Sequence, residues 1–170
     1  TASCGSKLPG CRWQKRKQQN KPQGSGSKDI GIIYDGNIPN QFTAQPTDQY
    51  DTYGGNPPAT DWYALEFDKL VTVTEVHFTE GGHFWDGGWF IKTPSIELLI
   101  GGEWVKADVS CEPSYVENDT LEAHGDGYKT FTFVLAQATA CNGLRVIGAA
   151  GGLSRFVSCA ELDFEFTSVE

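Results

Sequence analysis

Between Ile30 and Phe166 apolar and polar residues alternate with a period of two, in short runs separated by Gly, Pro, Asn and Asp, and no stretch sustains the i, i+3, i+4, i+7 spacing of an amphipathic helix. That pattern commits the body of the chain to β-structure. Tyr63, Leu65 and Phe67 fall on one face of residues 61–68. Asp68-Lys69 is then expected to turn the chain into a second strand over 71–79. In that strand Val71 and Val73 are out of phase with Val76 and Phe78, which predicts a bulge near Glu75. Ile96, Leu98 and Ile100 precede Gly101-Gly102, a hairpin signal leading into Trp104-Val105-Lys106. Phe131, Phe133 and Leu135 share a face, Leu144 and Val146 make a short strand, and Leu162, Phe164 and Phe166 alternate with acids at the end. About eight antiparallel strands, with 20 Gly and 8 Pro in the chain to make the connections, point to an all-β sandwich or jelly roll.

The 170 residues suit one compact domain that buries ~70% of its unfolded surface. No apolar run approaches the ~20 residues of a membrane-spanning helix. No signal-peptide pattern opens the chain and Met is absent, so the expectation is a processed product or a piece of a longer polypeptide. The net charge of -9 divides unevenly. Residues 1–30 carry seven basic residues and one acid, the remainder six basic and 21 acidic. A body that acidic repels nucleic acid and anionic lipid, which argues against nucleic acid as a partner and makes membrane an unfavourable one. Residues 1–29, basic and rich in Gly, Ser and Gln, hold almost no apolar residue beyond Leu8 and Trp13, and are read as a leader or linker before a binding domain over 30–170.

Motifs that announce catalysis are missing: no GxSxG, HExxH, GxxxxGK[ST] or GxGxxG occurs, and His77, His83 and His124 stand far apart in sequence. Carboxylates are plentiful, but so many on a small sandwich describe a solvated acidic surface. The reading is therefore binding without catalysis. The richest segment is Gly81-Gly82-His83-Phe84-Trp85-Asp86-Gly87-Gly88-Trp89-Phe90, where paired glycines allow tight turns that expose side chains. Aromatic rings that stack on the C–H face of a sugar, beside polar groups that take its hydroxyls, have this composition. Trp89 and Phe90 are expected inside, and Trp62 and Trp104 are expected to pack on their strands.

The order of segments resembles a known family. Tyr34-Asp35-Gly36-Asn37 after an opening strand, Asp61-Trp62-Tyr63-Ala64-Leu65-Glu66-Phe67 into Val71-Thr72-Val73-Thr74-Glu75-Val76, Ile96-Glu97-Leu98 with Gly102-Glu103-Trp104, and Gly143-Leu144-Arg145-Val146 followed by Phe156-Val157-Ser158-Cys159-Ala160-Glu161-Leu162-Asp163-Phe164 resemble the discoidin, or coagulation-factor C-type, domain. Within it the chain is most similar to the carbohydrate-binding modules of family 32 attached to secreted glycoside hydrolases. The resemblance spans Ile30 to Phe166 and leaves the leader unexplained.

It implies a discoidin-like β-sandwich whose sugar lies among loops at one end, held by an aromatic, a His and a basic residue. The matching candidates are Trp85 as platform, His83 and Asp86 as hydroxyl partners, and Arg155 with Phe156 from the loop 151–156, with Tyr53 and Tyr50 bordering the surface. It also implies a structural Ca2+ between the loop after the first strand and the last strand, for which Asp35, Asn37, Asn40 and Glu161 are the candidates. The function implied is tethering of an attached secreted enzyme or cell-surface protein to a glycan, with fusion to a catalytic or other domain. The alternative is a cell-adhesion or lectin-like discoidin domain that binds glycoprotein or protein partners. Either places the chain outside the cell. Of the five Cys, pairing Cys4 with Cys11 and Cys141 with Cys159 leaves Cys111 free, although other pairings fit the count. Asn118-Asp119-Thr120 has the form of an N-glycosylation acceptor.

Overall fold

The computed structural model describes residues 22–55 and 57–170, together with the backbone of 2–3 and 11–15. Nine strands are described: β1 (Ala2–Ser3), β2 (Cys11–Lys15), β3 (Tyr50–Asp51), β4 (Thr60–Glu80), β5 (Ser95–Ile100), β6 (Glu103–Lys106), β7 (Val109–Glu112), β8 (Thr130–Ala149) and β9 (Ser158–Val169). One helical turn, α1 (Leu121–His124), is capped by the Thr120 hydroxyl, which accepts from the N–H of Ala123. All strand pairs in the ladders are antiparallel. The architecture is the all-β sandwich that the alternation predicts.

The frame is a ribbon of β4 and β8 that stays paired from Thr60↔Ala149 to Thr79↔Thr130. Its register breaks between Glu66 and Val71 and between Val73 and Glu75, and there the ribbon passes from one layer to the other. In the first layer β2, the 60–66 half of β4, the 143–149 half of β8, β5 and β6 lie side by side. In the second, β9, the 71–80 half of β4, the 130–141 half of β8 and β7 do. The expected turn at Asp68-Lys69 is thus a bend within one long strand. Leu144 and Val146, read as a short strand, belong to the 20-residue β8. The bulge near Glu75 is present.

Alternation places the core between the layers. Tyr63, Leu65, Ile96, Leu98, Leu144 and Val146 from one side meet Val76, Phe78, Phe131, Phe133, Leu162 and Phe164 from the other, all buried. Each such Leu, Ile or Phe contributes roughly 1.5–3 kcal/mol of apolar burial. The opening strand expected before Asp35 is instead a 3-10 helix over Ile30–Tyr34, started by Asp29, whose Oδ1 accepts from the Gly31 N–H at 2.9 Å. No helix among the described residues is long and apolar enough to cross a membrane.

Cys111, Cys141 and Cys159 are free thiols, so the Cys141–Cys159 pairing does not form. Cys141 pairs with Val71 and Cys159 with Glu80, positions nine residues apart on β4 and therefore roughly 25–30 Å apart along it. Burial pushes the Cys141 thiol up to about 11. Cys4, and the side chain of Cys11, lie outside the described residues.

Because the ribbon folds over, both of its ends come to the same end of the sandwich. Short bridges there tie the connecting loops together: Phe90 to Ala150, Gly88 to Val157, and Gly82 to Gly127. The Thr52 N–H also donates to Val157 O at 3.2 Å.

Candidate functional site

At this loop end lies a pocket of about 140 Å³ lined by Gly24, Ser25, Asp51, Tyr53, Phe84, Asp86 and Phe156. Its walls are aromatic. The Phe156 ring meets Tyr53 edge-on at 5.4 Å between centroids and Phe84 at 5.9 Å. Phe156 is itself buried and packs against the two rings that flank it.

Beside the pocket, residues 84–87 form a tight turn in which the Phe84 N–H donates to Gly87 O at 2.8 Å, with Trp85 and Asp86 at its centre. The geometry leaves Trp85 76% exposed while Asp86 turns toward the pocket. Asp86 is fixed by the neighbouring loop: the Ser154 hydroxyl donates to its Oδ2 at 2.8 Å and the Ser154 N–H to its carbonyl at 2.9 Å. Gly152, at φ +77°, is required where that loop passes, because a Cβ there would collide with the Asp86 carbonyl. Arg155 follows in the left-handed region at φ +45°, unusual for a residue with a Cβ, and is exposed.

The structure thus gathers Tyr53, Asp86 and Phe156 around one pocket, with Trp85 and Arg155 exposed beside Asp86 and Phe156 in the chain. It does not bring His83 there. The His83 side chain is only 1% exposed, with Nδ1 at 2.9 Å from Gly125 O and Nε2 at 3.4 Å from Glu80 Oε1. Behind the pocket it belongs to a buried polar cluster. The Trp89 and His124 rings stack at 5.2 Å, and the Tyr115 hydroxyl donates to Glu80 Oε2 at 2.6 Å while accepting from the Phe90 N–H at 2.9 Å. Burial lowers the His124 pKa, which favours the neutral ring, and its Nε2 lies 2.5 Å from Asn118 O. Trp89 and Phe90 are buried as expected, and Tyr50 sits in the core, its backbone bonded to β9 rather than bordering the pocket.

Several participants were not singled out in the sequence. In sequence Phe84 reads only as one ring of an aromatic run. Asp51 holds the pocket floor: its Oδ2 accepts from the Gly26 N–H at 3.1 Å and its Oδ1 from the Tyr53 N–H at 3.2 Å. Gly24 and Gly26 approach it so closely that a Cβ on Gly26 would lie 2.6 Å from that Oδ2. In sequence these glycines read only as linker composition. Asp119 joins two loops, its Oδ1 accepting from Trp89 Nε1–H at 3.1 Å and from the Gly152 N–H at 2.7 Å.

A second group sits where the 35–43 loop meets β9. Glu161 is buried; its Oε1 accepts from the Gly36 N–H at 3.3 Å and its Oε2 has no hydrogen-bond partner. Burial first, then the adjoining Asp35 carboxyl, pushes the Glu161 carboxyl up to about 9. Asp35 Oδ1 accepts from the Asn37 N–H at 2.8 Å. Asn40 closes a turn instead, its Oδ1 taking the Phe42 N–H at 2.9 Å. Of the four residues expected around a cation, Asp35 and Glu161 therefore face each other directly, and Asn37 and Asn40 shape the loop.

No protein-family model and no curated protein matches the chain. Solved structures do. The family 32 carbohydrate-binding module of NanJ from Clostridium perfringens, solved with galactose, aligns over 91% of this chain and 90% of its own, at a TM-score of 0.55 and 14% identity. A second module from that organism, solved with GalNAc-β-1,3-galactose, aligns over 91% and 92%, also at 0.55 and 14%. A structure of the Streptococcus pneumoniae β-galactosidase BgaA aligns over 97% and 95%, at 0.64 and 12%. The fold is that of the family 32 carbohydrate-binding modules. At such identity the likeness shows the fold, while the side chains at the loop end are this chain's own.

Proposed function

We propose that this chain is a non-catalytic carbohydrate-binding module, which holds an attached secreted enzyme or cell-surface protein on a glycan and so raises its effective concentration there. The observation that carries the reading is the loop-end pocket, where three aromatic rings and the Asp86 carboxylate stand beside an exposed Trp85. The likeness to modules solved with galactose and with GalNAc-β-1,3-galactose supports it.

In this reading Trp85 stacks on the sugar's C–H face, Asp86 accepts from a hydroxyl through Oδ1, and Arg155 donates from the rim. Tyr53, Phe84 and Phe156 wall the pocket. His83 acts from behind, holding the 81–88 segment against Gly125. The pocket is small beside the ~300–1,000 Å³ of sites that enclose a drug-sized ligand. It suits one terminal sugar ring rather than the middle of a chain. A structural Ca2+ belongs to the same reading: Asp35 and Glu161, two carboxyls pressed together with one buried oxygen unpartnered, supply hard oxygen donors, and the cation would fix the 35–43 loop to β9.

A glycan array probed with the whole chain, in calcium and in chelator, tests the reading. The expected result is retention on a small set of glycans with related terminal sugars, lost in Trp85→Ala and Arg155→Ala proteins that keep their circular dichroism. An array with no retained saccharide, or a Trp85→Ala protein of undiminished affinity, overturns it.

A further inference from the structure

On the outer face of the second layer, away from the pocket, Glu75 and His77 of β4 and Glu165 of β9 turn the same way. One ligand atom from each lies within 4.8 Å of the other two. The pairing register explains the convergence. Glu75 stands directly across from Glu165, and His77 is two residues along the same face, across from Asp163. His77 Nε2 and Glu75 Oε2 are 3.0 Å apart.

Two carboxylates set directly opposite each other across a strand pair destabilise the sheet unless something positive lies between them. The neighbouring strand does not supply it: on the β8 side Glu75 faces Val134 and His77 faces Thr132. The His77 contact at 3.0 Å goes to Glu75.

We propose that Glu75, His77 and Glu165 form a binding site for a divalent transition metal of the zinc class, clamping β4 to β9 on the outside of the sandwich. The donor set selects the metal. An imidazole nitrogen with two carboxylate oxygens suits Zn2+, whereas Ca2+ requires six to eight oxygens. Tetrahedral ligands about 2.0–2.2 Å from a zinc ion stand roughly 3.3 Å apart, so the three side chains need only modest rotation to close on it. At 26% and 31% exposure, His77 and Glu75 have room for that motion and leave the fourth position to water. The site is separate from the Asp35–Glu161 pair and independent of the sugar-binding reading.

Titrating the whole chain with ZnCl2 by calorimetry tests the proposal, with thermal melts in zinc and in chelator alongside. The expected result is a saturable zinc equivalent that raises the melting temperature, with affinity reduced roughly tenfold or more in His77→Ala and in Glu165→Gln. Co2+ loading adds a visible absorption band that His77→Ala abolishes. Glu165→Gln, isosteric and on the surface, keeps the test decisive should His77→Ala melt early. The proposal fails if the wild-type chain takes up no zinc, if both variants bind it as well as wild type, or if Asp35→Asn removes the binding while His77→Ala does not.

Discussion

Two places on this sandwich set tryptophan beside charge, and they differ in whether the ring faces are already covered. On the outer face of the first layer the Arg145 guanidinium lies 4.5 Å from the Trp104 ring centroid and 5.5 Å from that of Trp62. The same guanidinium donates through Nε and Nη2 to Glu97 Oε1, at 2.8 and 2.5 Å. Strand register brings this about, since Arg145 stands between Ala64 and Glu97 in the ladder. The rings are roofed and the charge is neutralised, so the cluster is a packing device. At the loop end Trp85 is open to solvent, and the fixed Asp86 points into a pocket. Residue type is therefore shared between a structural cluster and a binding surface. What separates them is whether backbone geometry lets a neighbour cover the ring.

The largest expected effect breaks the open side of that comparison. Trp85→Ala should weaken glycan binding by about 2 kcal/mol, roughly thirtyfold, measured by titration calorimetry against the best array ligand. Its melting temperature should stay at the wild-type value, because so exposed a ring contributes little to packing. Next comes the residue that holds the pocket from behind. Asp119→Ala leaves Trp89 Nε1–H and the Gly152 N–H without their shared acceptor, and should cost about 1–2 kcal/mol in urea unfolding. Glycan affinity should fall with it, since the freed loop carries Ser154, Arg155 and Phe156.

Trp104→Ala sharpens the covered side. It removes one of the two rings stacked on Arg145 and should cost about 1 kcal/mol of stability, a melting shift of about 2–4 °C, with glycan affinity unchanged. A change in sugar binding there would erase the distinction.

The smallest effect is a slope with pH. The Glu161 carboxyl titrates at about 9 in the folded chain against an ordinary value of 4.5. Folding therefore holds its proton more tightly, and the stability this group contributes is full at low pH and declines as pH rises from about 4.5 to about 9. Melting curves in chelator should show that decline, and Glu161→Gln should flatten it. Added calcium needs the ionised carboxylate, so its stabilising shift should grow with pH across the same window and vanish in Glu161→Gln.

The strand faces were legible because alternation is a local property. Tyr63-Leu65-Phe67, Phe131-Phe133 and Leu162-Phe164 each declare their inner side, and the Gly101-Gly102 hairpin follows from two consecutive left-handed residues at φ +60° and +84°. The bend at residues 67–70 is not legible, because an isolated Asp-Lys pair has the same composition in a hairpin turn and in a ribbon that bends while still paired. Of the sugar-site candidates, Tyr53, Asp86 and Phe156 line one pocket, and Trp85 and Arg155 are exposed next to them in the chain. His83 was misplaced for a tertiary reason: Gly125 and Glu80, distant in sequence, draw its ring inward. Asp119 and the glycines at 24 and 26 gave no signal, since their importance lies in what approaches them.

By itself, then, the sequence determined that this is a two-faced β-chain with an acidic body, which strand residues point inward, and which loop is richest in aromatic and polar residues. Only the tertiary structure decided that the long β4–β8 ribbon folds over, that loops from four parts of the chain meet at one end, that the His83 side chain is buried while Trp85 is open, and that Glu75 faces Glu165 beside His77. Period and composition are carried by neighbours along the chain. Register, close approach and the covering of a ring depend on partners tens of residues away, and no local pattern encodes them.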